Sequence, residues 1–382
     1  MSQPVEPGSQ VSMPRTAAPS LFSPRVLVHA DPADLSALAR GPLATHPRAG
    51  LVLHRADVAA VRAARTLAVG PVLADAGAWG RAFATPADPF AGRVGAEAGL
   101  FSTTLDDYAE PFTGAGADVV LTPSGCVAEG DWTSLRAVLD AGGRTERADV
   151  LTLVAADAAM LDPAHAGRFS DELAGAGRPL AMLLAAKNQP FASRDRLAAL
   201  RGLLDRLPGL VLLATEPLVA LDAAARGGVG AVGHRGGLRR PGRPGDPGGP
   251  RAAGWLPGLL LARLWAVRSP SVYADWYAGT DSPSCDDCGR PLDVFATSDG
   301  DKDAILAHNV HELLRCADDL FRREGAARRQ AHLAASIVDA LAEHAALHPA
   351  AAGHEADPVL RRLAELDDPA GRRVLPSGAF RP

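Results

Sequence analysis

The amino-acid sequence predicts an α/β fold, a (β/α)8 barrel followed by a small helical subdomain. Eight short aliphatic runs alternate with Ala/Leu/Arg-rich stretches between Val26 and Val232. The runs are almost continuously apolar, which is typical of parallel strands that are covered on both faces. Eight strands that alternate with helices favour a closed TIM barrel. A doubly wound open sheet is the alternative, because spacing alone does not show closure.

Each predicted element follows from its local composition. Strands are expected where β-branched and aliphatic residues cluster, at 26–28, 50–53, 71–74, 118–121, 150–154, 179–185, 209–213 and 229–232. Helices are expected where Ala, Leu and Arg dominate, at 32–39, 56–65, 105–112, 132–141, 166–174, 193–207 and 218–225. After the last strand, the pattern predicts a helix at about 255–267 and a long helical region that ends near Leu347.

The chain divides into four segments. Residues 1–22 predict a disordered tail, and they lack the basic start and apolar centre of a signal peptide. The barrel is expected over residues 23–270 and the helical subdomain over residues 271–348. A weakly ordered tail is expected over residues 349–382.

Composition excludes several classes of protein. With 47% hydrophobic and 22% charged residues, the chain of 382 residues is not predicted to be disordered, collagen-like or fibrous. Its net charge of −5 restricts any nucleic-acid contact to a local basic patch. Residues 255–267 are too few to span a bilayer and include Arg263, so no membrane segment is predicted. Four cysteines without a signal peptide predict reduced thiols and a cytoplasmic protein.

A Cys/His pattern in the C-terminal part predicts a zinc site. Cys285 and Cys288 form a CxxC pair, and His308 and His311 follow about one helical turn apart from each other. Two thiolates on a tight turn bind one metal ion, and tetrahedral zinc needs two further ligands. His308 is the natural third ligand, and the fourth is His311, Cys316 or a carboxylate such as Asp286 or Asp303. The alternative is a pair of buried thiols beside a helix with surface histidines.

Polar residues at the ends of the predicted strands form a second candidate site. Asp75 follows the third strand and is positioned for acid/base or nucleophilic chemistry, with Trp79 as a flat stacking surface. Alternatively, Asp75 caps the next helix and Trp79 packs under a loop. In a barrel, the other strand ends would bring Ser124, Asp157, Lys187, Asn188, Glu216, His234 and Arg235 to the same mouth. Asp157 and Glu216 are equally compatible with a role as helix caps.

Residues 235–251 form a Gly/Pro-rich segment that carries five arginines. This composition excludes a helix or a central strand. The segment is either a flexible loop that contacts the phosphates of a nucleic acid or a solvated loop without that role. The Leu/Ala-rich C-terminal helices are a candidate surface for a second copy of the chain or for a partner enzyme subunit.

Three segments resemble the tRNA-guanine transglycosylase family, over roughly residues 45–325. They are GPVLADAGAWG (70–80), ATEPLVALDAAARGGVGAVG (214–233) and SPSCDDCG with the downstream HNVHELL (282–289 and 308–314). The resemblance implies a (β/α)8 TIM barrel with a small C-terminal zinc-binding helical subdomain. It also implies base exchange in tRNA or DNA, with Asp75 as acid/base, Trp79 against the base, and Cys285, Cys288 and His308 as zinc ligands.

The sequence departs from the family at three functional positions. The first zinc cysteine falls on Pro283, the nucleophilic aspartate on or near Gly233, and the base-reading aspartate near Ser124. Glycine cannot form the covalent ribosyl intermediate, so Asp157 or Glu216 would have to replace the nucleophile. We therefore expect a divergent relative that acts on or binds a nucleobase. The alternatives are an inactive subunit of such an enzyme and an unrelated barrel enzyme with a small substrate.

Overall fold

A closed ring of eight parallel strands forms the centre of the computed structural model. The described residues are 23–39, 43, 46, 49–92, 94, 103–187, 189–233, 241–246, 257–278, 281–286, 288–292, 295, 299–347 and 355–368. The strands are β1 (Arg25–Ala30), β2 (Leu51–His54), β3 (Val72–Asp75), β4 (Val119–Leu121), β5 (Cys126–Val127), β6 (Val150–Asp157), β7 (Leu180–Ala185), β8 (Val211–Thr215) and β9 (Val229–Gly233). Pairing of β1 with β9 and of β4 with β6 closes the ring, and β5 pairs beside it with β6. The predicted barrel is therefore confirmed, and the open sheet is excluded.

Helices follow the strands at the predicted places. They are α1 (Leu35–Leu38), α2 (Val58–Leu67), α3 (Leu105–Gly114), α4 (Trp132–Gly142), α5 (Ala166–Gly175), α6 (Arg194–Arg206) and α7 (Pro217–Ala225). Several begin at side chains that accept a hydrogen bond from the first helical turn, as Asp57, Thr104 and Asp131 do. These caps satisfy amide groups that have no partner within the helix.

Apolar side chains fill the interior of the barrel. Because side chains alternate along a strand, every second residue points inward. Leu27, Val52 and Leu73 belong to this buried inner cluster. His29, His54 and Asp75 lie two residues further along the same strands and therefore share the inward face, nearer the carboxyl ends. The interior is thus a packed core with polar side chains at its carboxyl-terminal mouth.

The predicted helix at 255–267 is wrong for the described residues. Here β10 (Leu259–Leu261) and β11 (Ala266–Arg268) form an antiparallel hairpin, which α8 (Pro270–Trp276) follows. Asn309 accepts a hydrogen bond from the Leu260 amide and donates one to the Gly258 carbonyl. These tertiary hydrogen bonds to extended backbone override the helical preference of an apolar Leu/Ala run.

Three further helices cover the barrel. They are α9 (Asp299–Phe321), α10 (Ala326–Ala346) and α11 (Pro358–Asp367). Helix α9 packs against α1, α7 and β1, so it completes the outer helical layer beside the last strand. Helix α11 packs on α6 and α10, although the sequence analysis assigns it to a weakly ordered tail. In the described part of the chain, no helix combines the length and apolar character needed to cross a membrane.

Candidate functional site

Three successive strands each contribute one polar side chain to a buried cluster at the barrel mouth. Asp75 is opposite His54 in the register of β2 and β3. The Nδ1 atom of His54 lies 3.0 Å from Oδ2 of Asp75, and Nε2 of His29 lies 3.6 Å from the same oxygen. All three residues are buried. We call His29, His54 and Asp75 the mouth cluster.

The turn after β3 supplies two further donors to Asp75. The Gly77 amide donates to Oδ1 over 2.8 Å, and the Trp79 indole N–H donates to Oδ2 over 3.1 Å. Gly77 has a left-handed backbone with a φ of 63°, and a Cβ there would lie 2.5 Å from Cε1 of His54. Glycine therefore allows the turn to approach the imidazole closely.

Trp79 is buried, and its ring centre lies 5.1 Å from that of His54. It packs with the inner apolar cluster of the barrel. Its indole contributes to the environment of Asp75 by the hydrogen bond and by excluding water.

Electrostatics shift the pKa values of Asp75 and His29 in the mouth cluster. Burial alone would raise the pKa of Asp75, but its interactions with His29 and His54 outweigh burial and hold the pKa well below its usual range. Burial lowers the pKa of His29, although the neighbouring Asp75 opposes this shift. Near neutral pH, an ionised carboxylate therefore lies beside an uncharged His29 ring. Such a carboxylate is a weak base, but it accepts hydrogen bonds and attracts cations.

The sequence reasoning identified Asp75 but missed His29 and His54. A signal was present, because VLVH, LVLH and VLAD each place one polar residue directly after three aliphatic residues of a predicted strand. Equivalent positions on neighbouring parallel strands lie side by side in a barrel. Alignment of the strand ends would therefore have grouped the three residues.

Asp157, on the other side of the mouth, is paired with a loop arginine. Nε of Arg243 lies 2.5 Å from Oδ2 of Asp157, and Nη2 donates to Oδ1 over 2.9 Å. Asp157 also accepts a hydrogen bond from the Ala159 amide, which is the capping role that the sequence left open. Arg243 belongs to the described part of the Arg-rich segment, where the Pro241 carbonyl accepts a hydrogen bond from the amide of Ala186.

The remaining residues predicted for the mouth differ in burial and in hydrogen bonding. The side chain of Glu216 is hydrogen-bonded to Gln189 and stands immediately before α7. Ser124 is buried and its hydroxyl lies 2.9 Å from that of Thr122, whereas Lys187 is exposed. Asn188, His234 and Arg235 lie outside the described residues.

The position of the expected nucleophile is at the end of β9. Gly233 is buried and lies opposite His29 in the register of β1 and β9. It has no side chain to attack a ribose carbon. The described end of β9 therefore supplies neither a carboxylate nor a hydroxyl to the mouth.

The C-terminal Cys/His residues form a second cluster. A turn places the two thiols together, with the Gly289 amide donating to the Cys285 carbonyl over 2.8 Å. One donor atom from each of Cys285, Cys288 and His311 lies within 4.8 Å of the other two. The structure therefore brings together three of the four predicted ligands as a group able to hold a metal ion.

His308 is directed toward this group. Its Nε2 lies 2.9 Å from the Leu260 carbonyl oxygen, and its Nδ1 lies 3.8 Å from Sγ of Cys288. A carbonyl oxygen only accepts, so Nε2 carries the hydrogen and Nδ1 presents a lone pair toward the thiol. We call Cys285, Cys288, His308 and His311 the knuckle cluster.

Cys316 is further along α9 and is not one of the residues grouped in the knuckle. Burial raises the pKa of the Cys316 thiol to about 12. It is therefore protonated near neutral pH in the metal-free chain. Cys316 provides a natural control for experiments on the knuckle.

Both clusters can hold a cation, and their chemistry differs. The mouth cluster offers two imidazoles and a carboxylate, whereas the knuckle offers thiols and imidazoles. Nitrogen and oxygen donors with open positions are typical of catalytic metals, and closed thiolate-containing sets are typical of structural zinc. No protein-family model matches the chain, and no curated protein matches it either.

Proposed function

We propose that this chain is a transglycosylase-type barrel that binds a nucleobase of tRNA or DNA at its mouth and holds zinc in its knuckle. One observation carries the proposal. The same barrel has Asp75 at the carboxyl end of its third strand and a Cys/His cluster after its last strand. These features belong to two of the three segments on which the resemblance to the transglycosylase family depends.

The knuckle residues suit zinc. Cys285 and Cys288 would supply two thiolates, and His308 and His311 two imidazole nitrogens, which is a common structural zinc set. The Leu260 carbonyl fixes the His308 ring in the manner usual for metal-binding histidines. His311 would replace the thiolate that the family has at the position of Pro283. A bound ion would join the turn of the two cysteines to α9.

The mouth residues favour binding over the family's covalent base exchange. Exchange requires a carboxylate that attacks the ribose, and the expected position is Gly233. Asp157 and Glu216 are the candidate replacements, but Arg243 and Gln189 engage them. Lys187 is exposed at the end of β7 and is available to a phosphate of the nucleic acid.

The test measures binding and exchange separately on the full chain. We expect labelled guanine or a 7-deazaguanine to bind, tRNA or duplex DNA to bind with a steep salt dependence, and no label to enter either polymer. Lys187→Gln should weaken nucleic-acid binding. Lys302→Gln is the matched control, because the chain has no other lysine and Lys302 is on α9.

Two results would overturn this proposal. Folded protein that binds neither bases nor nucleic acid at low salt would exclude a nucleobase function. Exchange that disappears in Asp75→Asn would instead show that the enzyme runs the family reaction with a different nucleophile.

A second candidate function is a catalytically inactive subunit that supports an active enzyme. The observation in its favour is that Asp75, Asp157 and Glu216 are all hydrogen-bonded within the chain. This function predicts no turnover, and it predicts that Asp75→Asn leaves assembly with the partner enzyme unchanged. Loss of nucleobase binding in the same variant would favour the first proposal.

A further inference from the structure

The donor atoms of the mouth cluster lie near the separations that a metal ion imposes. The distances from Asp75 Oδ2 are 3.0 Å to His54 Nδ1 and 3.6 Å to His29 Nε2, and each of the three residues offers a donor atom within 4.8 Å of those of the other two. An ion about 2.1 Å from each donor holds them about 3.0 Å apart in octahedral geometry and about 3.4 Å apart in tetrahedral geometry. Small side-chain movements would therefore bring all three donors onto one ion.

One of these donors has no other role in the described structure. Nε2 of His29 is buried and has no hydrogen-bond partner among the described residues. A separation of 3.6 Å from the Asp75 carboxylate is too long for a normal hydrogen bond. A buried ring nitrogen without a partner is costly, and a bound cation would remove that cost.

The surroundings of Asp75 match those of a metal-binding carboxylate. The Gly77 amide occupies Oδ1, and the Trp79 indole donates to Oδ2 while leaving a further lone pair on that oxygen. Metal-bound carboxylates are usually held in this way by hydrogen bonds from the protein. The carboxylate is therefore fixed in place before any ion binds.

We propose that His29, His54 and Asp75 form a binding site for a divalent first-row transition metal, separate from the knuckle. Two imidazoles and one carboxylate suit zinc, iron, cobalt or manganese, whereas magnesium and calcium prefer oxygen donors alone. Three protein ligands leave at least one coordination position for water or a substrate oxygen. Such an ion acts as a Lewis acid at the place where barrel enzymes bind their substrates.

This inference goes beyond the proposed nucleobase function and does not depend on it. Its readout is metal content, measured without any base or nucleic acid. A protein that binds two metal ions but no nucleobase would support the mouth site and overturn the proposed function. A protein that binds a nucleobase but has no ion in the mouth would support the proposed function and overturn the mouth site.

The experiment is a cobalt titration of metal-stripped, full-length protein. We expect two bound cobalt ions, of which the knuckle ion shows thiolate-to-cobalt charge transfer and the mouth ion shows d–d bands without it. His29→Gln should bind one ion and keep the charge-transfer band. His332→Gln, which changes a histidine on α10, should still bind two ions.

Two outcomes would overturn the proposal. The first is wild-type protein that binds a single cobalt ion with a thiolate-to-cobalt charge-transfer band, because it then has no mouth site. The second is a His29→Gln protein that still binds two ions, because the second ion is then not bound by the mouth cluster. If His29→Gln does not fold, wild-type crystals soaked in cobalt replace it. The expected result is an anomalous peak between the three side chains, and its absence at full knuckle occupancy contradicts the proposal.

Discussion

The mouth cluster and the knuckle cluster are both candidate ligand sets, but the fold supports them differently. Each residue of the mouth cluster comes from a separate strand of a closed barrel, where backbone hydrogen bonds fix its position. The knuckle consists of a short turn with two cysteines and two histidines from α9. The paired strands hold the mouth cluster together without a metal, whereas the knuckle ligands come from a turn and a helix that are separate segments of the chain. We therefore expect a metal ion to add reactivity to the mouth cluster and to add stability to the fold at the knuckle.

The largest expected effect is the removal of metal from the knuckle. A ligand that binds only the folded chain adds about 4 kcal/mol to the free energy of unfolding at 1,000 times its Kd. Excess EDTA should therefore lower the thermal midpoint of wild-type protein. Cys288→Ser should start from a lower midpoint and respond less to EDTA than wild-type protein, because only the mouth ion is left to remove.

Cys316→Ser is the control for this prediction, since it removes a half-buried thiol of α9 that is outside the knuckle. Its response to EDTA should equal that of wild-type protein. A Cys288→Ser protein with the same EDTA response as wild type would show that the knuckle does not hold the stabilising metal.

The next effect tests whether the mouth cluster is stable without metal. Asp75→Ala leaves the Trp79 indole, the Gly77 amide and His54 without their common acceptor. Each unsatisfied buried group costs about 1–3 kcal/mol, so we expect a loss of about 3 kcal/mol in the free energy of unfolding. Urea unfolding in EDTA measures this loss in metal-free protein.

Asp140→Ala is the matched control, because Asp140 is exposed near the end of α4. Its effect should remain within about 0.5 kcal/mol. Suppose that Asp75→Ala lowers the free energy of unfolding no more than Asp140→Ala in EDTA, but lowers it more when metal is present. The ion, and not the hydrogen bonds, would then stabilise the mouth cluster.

The two clusters also differ in how well the sequence predicts them. Cys285 and Cys288 form a local motif, and His308 and His311 share one helical segment, so residue spacing alone indicates the knuckle. The residues of the mouth cluster are more than twenty positions apart, and only the register of three strands brings them together. The sequence therefore predicts Asp75 from its place after a strand, whereas its two histidine neighbours can be predicted only by aligning the ends of the three strands.

The contrast between local and distant interactions also explains why the barrel strands are predicted correctly and the helix at 255–267 is not. The eight barrel strands are continuous apolar runs, and their own composition predicts them. The β10–β11 hairpin has equally apolar residues, but its backbone conformation depends on Asn309 and Glu312 of the distant helix α9. Local preference therefore predicts an element where the tertiary contacts agree with it, as in the barrel strands, and fails where they compete with it, as in the hairpin.

A smaller effect should follow from a methyl group placed against the mouth cluster. Gly77→Ala would force alanine into a left-handed conformation and place its Cβ 2.5 Å from His54. We expect a loss of about 2 kcal/mol in the free energy of unfolding, from backbone strain together with displacement of the imidazole. Gly80→Ala is the control, because a Cβ there meets no atom within 4 Å. Equal unfolding curves for the two variants would mean that the turn yields and that His54 is not held tightly.

The smallest expected effect concerns the loop that reaches over β6. Arg243 is 40% exposed and pairs with the buried Asp157, so Arg243→Ala should cost less than about 1 kcal/mol, since water can then reach the carboxylate. Urea unfolding measures this cost, and a cobalt titration of the same variant should still give two ions. Strands β1, β2 and β3 hold the mouth ligands, whereas Arg243 is bonded to Asp157 at the end of β6. If the variant loses the cobalt ion without thiolate character, the strands do not suffice to form the site, and the loop must be counted as part of it.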